Sequence, residues 1–343
     1  PFEPAAKRQA RVARSQAETR LAALDLAATL WQLRQEVARA WEELALARAE
    51  EALAGEEVSG RRALLHWVET LLRFGAGSQP DVLAAQGELA RAEAQAAASA
   101  TAIVKAKGDL ARALGLPLEG MERIQLAPAE LQALPEASTF GTAELGGEAV
   151  RNRLDLDRAV AAYARAEAAL AAEVAAQVPD LSLGPGLTYD QGQKKLVFGV
   201  GLSLPNPPAA RAAIRAAWFA RERAAGEVER VQAEALAAVS AACARYRAAS
   251  TEREHARAAL EEQRRGLEAA EKRLALGAGN RGEVLAAQAL ALEAQRAGLG
   301  AERSRLEALG ALEDAVQRPL WPPSRLAPAR DATAIPGPTE KEP

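Results

Sequence analysis

The chain has 343 residues, 26% of them charged and 4% aromatic, with a formal net charge of −3. That balance excludes the strongly basic face of a nucleic-acid binder. One cysteine, Cys243, and two distant histidines, His66 and His255, exclude an intrachain disulfide framework and a histidine-based zinc cluster. Alanine, leucine, arginine and glutamate dominate, which is the composition of long helices rather than of a large globular core. The sequence opens at Pro1 without a methionine or a charged-then-apolar leader, and no apolar run is long enough for a transmembrane helix.

In chain order, the first stretch runs from Pro4 to Phe74 without a further proline. Its apolar positions Leu26, Leu30, Leu33, Val37, Ala40 and Leu44 step by four and three, the seam of a coiled coil. As one helix of roughly 70 residues it would be about 100 Å long. A break at Gly75–Pro80 precedes a second helix, 81–114, with Val82, Ala85, Leu89, Ala92, Ala96, Ile103 and Leu110 on one face. Gly115-Leu-Pro117 stops it. Residues 117–147 read as a connector with short helical pieces, and a third helix is expected over 148–178. Pro205–Pro208 opens a fourth that continues to Leu276. After a glycine cluster a last helix, 282–317, carries Leu285, Leu292, Leu299 and Leu306 at heptad spacing. The proline-rich tail, 318–343, reads as disordered. From these helices alone, a soluble coiled-coil rod is a full alternative.

The glycine cluster spells G-x-G-x-x-G at Gly277, Gly279 and Gly282, the pattern of a dinucleotide-binding loop. Such a loop must follow a strand; this one follows a helix. It also has a second copy. Phe74-Gly-Ala-Gly-Ser-Gln-Pro-Asp-Val-Leu-Ala-Ala-Gln86 matches Leu276-Gly-Ala-Gly-Asn-Arg-Gly-Glu-Val-Leu-Ala-Ala-Gln288 position by position, roughly 200 residues apart, so the chain is two structural repeats, each centred on a helical hairpin. Gly75 and Gly277 are placed to end a helix in the left-handed conformation. Ser78 and Asn280 are placed to cap the next one, with Asp81 and Glu283 completing a capping-box pattern, and Pro80 fits the first turn.

One segment differs in kind. Leu181, Leu183, Pro185, Leu187 and Tyr189 alternate with Ser182, Gly184, Gly186 and Thr188; Leu196, Phe198, Val200, Leu202 and Leu204 alternate with Val197, Gly199, Gly201 and Ser203. With Asp190–Lys195 as a polar turn, this predicts a β-hairpin with one apolar face. Strands of about nine or ten residues span a bilayer when tilted, and apolar-out, small-or-polar-in is the pattern of a membrane barrel. A soluble hairpin packed on the helices fits the same alternation. In lipid, one hairpin would leave its edge groups unpaired, so the membrane reading demands strands from further copies of the chain or strands outside it.

Three places together resemble the TolC family of outer-membrane efflux channels: the paired turn Arg73–Gln86 with its copy ending at Gln288; Val178-Pro-Asp-Leu-Ser-Leu-Gly184 with Val200-Gly-Leu-Ser-Leu-Pro205; and Pro1-Phe-Glu-Pro-Ala-Ala-Lys-Arg8, which is similar to the heavy-metal (CzcC-like) branch. The resemblance covers nearly the whole chain to Pro319. It implies a mainly α fold: long helical hairpins in two repeats forming an α-barrel tunnel, with a transmembrane β-hairpin contributing to a shared β-barrel. It implies a homotrimer in the bacterial outer membrane with helices in the periplasm. It also implies a periplasmic adaptor docked on the turns, an inner-membrane pump supplying the energy, and no catalysis, cofactor or resident metal. The expected divisions are a first repeat, 1–116, with its tip at 75–80; an equatorial-type connector, 117–147; a second repeat, 148–317, holding the β-hairpin 181–204 and a tip at 277–282; and the tail. Only the second hairpin of the family pattern is found, so an N-terminal part is expected to be missing before Pro1.

Within that resemblance, Asp81 and Glu283 are the pore-entrance candidates, each forming a ring of negative charge in a threefold assembly, in addition to capping. The family's further acidic position is Ala286 here. Gly75, Ala76, Gly77 and Ser78, with Gly277, Ala278, Gly279 and Asn280, are the expected adaptor-docking tips. Leu181, Leu183, Leu187, Tyr189, Leu196, Phe198, Val200 and Leu202 are the expected lipid-facing positions. The competing function is a soluble coiled-coil scaffold without a pore.

Overall fold

The computed structural model describes residues 4–123, 134–190, 192–203 and 206–321. Its main elements are α1 (Ala5–Arg73), α2 (Gln79–Ala113), α3 (Thr142–Asn152), α4 (Leu154–Ala175), β1 (Asp180–Asp190), β2 (Gln193–Ser203), α5 (Pro207–Ala275) and α6 (Arg281–Val316). α1 and α5 are each 69 residues, and the helices that follow them, α2 and α6, are 35 and 36. A long helix turning into one half its length therefore occurs twice, as the repeat in the sequence predicts.

Two compact units are each drawn from both halves of the sequence. The first takes residues 4–30 and 146–238. Its small core sets Leu156 and Ala159 of α4 against Val231 of α5, with Val228 beside them. Arg158 pairs with Asp25 at 3.2 Å. In this unit the Lys7 ammonium donates to Asp180 Oδ1 at 2.6 Å, tying the first turn of α1 to the start of β1.

The second unit takes residues 31–145 and 239–321. Leu44 and Ala47 of α1 pack with Ile103, Ala106, Leu110 and Ala111 of α2 and with Met121, and Val37, Ala40 and Trp41 flank them. Alanine at four of these positions lets the helices approach closely along their length. α1 is also linked to α6 by charge: Arg34 to Glu313 at 3.2 Å, Arg303 to Glu50 at 2.9 Å and to Glu43, and Arg296 to Glu57. Glu42 of α1 lies half-buried beside these pairs and has no ion-pair partner among the described residues. Burial first, and Glu313 second, push its carboxyl up to about 7, while Arg39 and Arg34 pull the other way.

The end of the connector is held from α5 and α6. Tyr246 Oη donates to the Pro135 carbonyl at 2.5 Å, and Arg305 Nη2 donates to the same oxygen at 2.8 Å and to the Leu134 carbonyl at 3.2 Å. Arg247 reaches the Phe140 carbonyl and Thr142 Oγ1. Residues 124–133, the rest of the expected connector, lie outside the described residues, as do 1–3, Leu204, Pro205 and the tail from 322.

The structure corrects three expectations. The third helix is two, α3 and α4, broken at Arg153, whose backbone is extended (φ −70°, ψ 120°). The Arg153 guanidinium bonds both oxygens of Asp155 at 2.9 and 2.5 Å, and Asp155 Oδ1 accepts the Leu156 N–H, so a local side-chain network fixes the restart. The α1 seam is buried only in its second half. Leu44 is 1% exposed, whereas Leu26, Leu30 and Leu33 are 63%, 54% and 45% exposed. The strands are longer than expected, 11 residues each, because Asp190 belongs to β1 and Gln193–Lys195 belong to β2.

Candidate functional site: paired helix turns and an apolar hairpin

The two turns share one backbone. Ala76 N–H donates to the Leu71 carbonyl at 2.8 Å and Gly75 N–H to that of Leu72 at 3.0 Å; Ala278 donates to Arg273 at 2.9 Å and Gly277 to Leu274 at 3.0 Å. These paired bonds satisfy the last carbonyls of α1 and α5. They require a left-handed residue, which Gly75 and Gly277 supply at φ 71° and 70°. Gly77 and Gly279 serve a different need. A Cβ on Gly77 would lie 3.0 Å from Leu72 N, and one on Gly279 3.2 Å from Arg273 Cβ, because each turn folds back against its own helix.

The caps differ in chemistry. Ser78 N–H and Oγ both donate to Asp81 Oδ2, at 3.2 and 2.6 Å, and Asp81 N–H returns to Ser78 Oγ at 3.4 Å, a closed capping box. In the second turn Glu283 N–H donates to Asn280 Oδ1 at 2.9 Å, and the Asn280 amide donates back to Glu283 Oε1 at 3.0 Å. Glu283 is also paired with Arg273 of α5 at 3.4 Å. Both candidate entrance acids are solvent-exposed and already engaged as caps. Pro80 falls in the first turn of α2, as expected.

Two features escaped the sequence reading. Phe74 and Leu276, at matching places in the repeat, are each 83% exposed, so each turn presents a bare apolar side chain beside its glycine. The signal was the match of two large apolar residues at the first position of both copies. The second is Gly282, where a Cβ would lie 3.1 Å from Trp67 Nε1. Trp67, near the end of α1, thus packs against the start of α6.

The β-hairpin has the predicted faces. Leu181 pairs with Leu202, Leu183 with Val200, Leu187 with Leu196 and Tyr189 with Lys194, so the apolar positions form cross-strand rows on one face. Leu183, Tyr189, Leu196, Phe198, Val200 and Leu202 are each more than half exposed, and Leu181 is 39% exposed. The side chain of Leu187 lies outside what is described. The other face holds Ser182, Gly184, Gly199 and Gly201. Among the described residues the sheet has two strands and both outer edges are unpaired. No described helix is long and apolar enough to cross a membrane.

The chain superposes on the outer-membrane channel OprN at TM-score 0.77 and 22% identity, covering 90% of this chain and 71% of that one. The outer membrane protein VceC of Vibrio cholerae gives 0.72 and 19%, with 90% and 75% covered. The MtrE outer membrane channel of Neisseria gonorrhoeae, in its open state, gives 0.69 and 20%, with 89% and 71% covered. No curated protein matches the sequence. At these identities the structures establish the fold: long helical hairpins in two repeats with a β-hairpin between α4 and α5. The outer membrane efflux protein profile matches residues 145–316, from α3 through the β-hairpin and the second turn to the end of α6, and the chain belongs to that family.

Proposed function

We propose that the chain is the outer-membrane channel subunit of a tripartite efflux system, a passive exit duct built as a homotrimer. The observation that carries this is the β1–β2 hairpin. Its cross-strand rows of leucine, valine and phenylalanine are bare to solvent, and its edges are unpaired. Exposed apolar rows of this size call for a covering partner, and a lipid bilayer accepts such a hairpin only inside a closed barrel. Neighbouring protomers supply the strands at the edges. Residues 1–116 and 148–317 act as the two repeats, and the segment between them as the equatorial connector.

In this reading the turns Gly75–Ser78 and Gly277–Asn280 dock a periplasmic adaptor, with Phe74 and Leu276 as its apolar contacts. Asp81 and Glu283, repeated by threefold symmetry, place carboxylates at the tunnel mouth and favour cations there. The inner-membrane pump drives transport, and the duct itself carries no chemistry. Heavy-metal cations are the cargo, on the strength of the Pro1–Arg8 resemblance.

The test is membrane fractionation of the full-length gene product, followed by single-channel recording in planar bilayers. Carbonate-resistant membrane association and discrete conductance are expected. A protein that stays soluble would instead be the scaffold. For the cargo, metal and drug tolerance are compared in cells lacking the channel and complemented with this chain and its genomic-neighbour pump. Restored drug tolerance without metal tolerance would overturn the metal assignment.

A further inference from the structure

We infer that the end of the first unit where the β-hairpin opens into the helices is a binding surface for the headgroups of anionic phospholipids. The inference rests on the membrane reading of the hairpin given above. Asp180 and Ser203 face each other at the open end of the strand pair, and the Lys7–Asp180 bond fixes the start of α1 there. α5 begins four residues beyond Ser203, at Pro207. Both long helices therefore set out from this end.

Their first turns are cationic. α1 carries Lys7, Arg8, Arg11 and Arg14 before its first acid, Glu18, and α5 carries Arg211, Arg215 and Arg221 before Glu222. The chain as a whole has a formal net charge of −3, so this excess is local. Several of these charges are already matched: Lys7 by Asp180, Arg14 by Glu18, and Arg221 by Glu222 and Glu167. Arg8, Arg211 and Arg215 are exposed and have no ion-pair partner among the described residues.

These three guanidinium groups all belong to the ends of α1 and α5 nearest the hairpin. Arg14 of α1 and Ala220 of α5 line a common groove with Ala166 of α4. Six residues back toward the hairpin, about 9 Å on each helix, stand Arg8 and Ile214, the latter between Arg211 and Arg215. On α5, Arg211 and Arg215 share an arc of about 100° with Trp218 and Phe219. Those two rings meet edge-to-face at 5.0 Å and are 45% and 59% exposed. Unpaired arginines followed by exposed aromatics, next to strands that enter a bilayer, match the demands of an anionic headgroup layer: long-range attraction by charge, and amphipathic rings at the boundary. A guanidinium also bonds a phosphate through two N–H groups at once.

The test uses the full chain folded into vesicles of phosphatidylethanolamine, alone or mixed with phosphatidylglycerol. Integration is read by carbonate resistance, and retained lipid by mass spectrometry after mild detergent extraction. Wild type is expected to integrate in both mixtures and to retain phosphatidylglycerol above its bulk fraction. The triple variant Arg8→Gln, Arg211→Gln, Arg215→Gln should integrate equally but lose that enrichment by roughly fivefold or more, and high salt should lower the enrichment of wild type. Equal enrichment in variant and wild type would overturn the inference and leave the membrane reading standing. A variant that loses trimers with enrichment unchanged would reassign this face to a protomer contact. Failure of wild type to integrate would overturn both readings.

Discussion

The two helix turns have one backbone and two chemistries. Gly75 and Gly277 adopt the same left-handed conformation, and the hydrogen bonds that close each turn agree to 0.1 Å. Three residues past each cap residue the likeness ends. Asp81 closes a capping box on Ser78 alone, whereas Glu283 is shared between Asn280 and Arg273. Where the first turn has Pro80, a helix-start residue, the second has Gly282, and only there does a tryptophan from another helix crowd the space a side chain would take. Backbone geometry that a helix end demands is repeated; what surrounds it is not, and the surroundings decide which glycines can change.

The sharpest way to break the comparison is to place the same bulk at the two unlike positions. Gly282→Leu should destabilise by about 2–3 kcal/mol through overpacking against Trp67. Pro80→Leu, which faces solvent, should stay within about 0.5 kcal/mol. Thermal denaturation would show this, and Trp67→Ala should relieve most of the Gly282→Leu penalty; equal penalties at the two positions would remove the role assigned to Trp67.

A control away from the turns is Glu42 of α1, which faces Glu313 of α6. Its folded value of about 7 lies above the ordinary 4.5, so the folded state favours the protonated carboxyl. Stability from this group is fully present below 4.5 and is lost as pH rises through 7. Glu42→Gln should stabilise the protein by on the order of 2 kcal/mol at about pH 8 and have little effect near pH 4. A variant with the same pH profile as wild type would refute the assignment. Smaller, and equal at the two sites, should be Gly75→Val and Gly277→Val, about 1–2 kcal/mol each, since both force a β-branched residue to positive φ. Together they should abolish export while trimers persist on native gels; unchanged export would remove the turns from adaptor docking.

The smallest effects sharpen the comparison of the caps. Ser78→Ala and Asn280→Ala should each cost about 1 kcal/mol. Removing the exposed Arg273–Glu283 pair by Arg273→Gln should cost no more than about 0.5 kcal/mol. A larger loss, measured by amide exchange across the turn, would make that pair a structural fastener.

Much of this was legible because it is local. Glycine before Ser-x-x-Asp or Asn-x-x-Glu announces a helix stop and restart wherever it occurs, and two copies in one chain announce a repeat. Alternation in Leu181–Tyr189 and Leu196–Leu202 likewise predicted both faces of the hairpin, though not that Lys194 and Lys195 would continue the strand. Other features were illegible for a common reason. The break at Arg153 has neither glycine nor proline and depends on a guanidinium reaching Asp155. The exposed half of the α1 stripe, Leu26–Leu33, has the same spacing as the buried half. Periodicity states that a face is apolar and leaves open what covers it.

The sequence by itself determined the lengths of the four helices that flank the turns, the conformation of both turns and the alternating faces of the hairpin, because each depends on residues within a few positions of one another, and the likeness of the two turns showed the twofold repeat. The tertiary structure decided that Trp67 occupies the space beside Gly282, that Arg305 and Tyr246 hold the carbonyl of Pro135, that Glu42 sits where its charge is disfavoured, and that Phe74 and Leu276 remain bare. Those facts depend on which distant residues meet, and packing between helices far apart in the chain sets them.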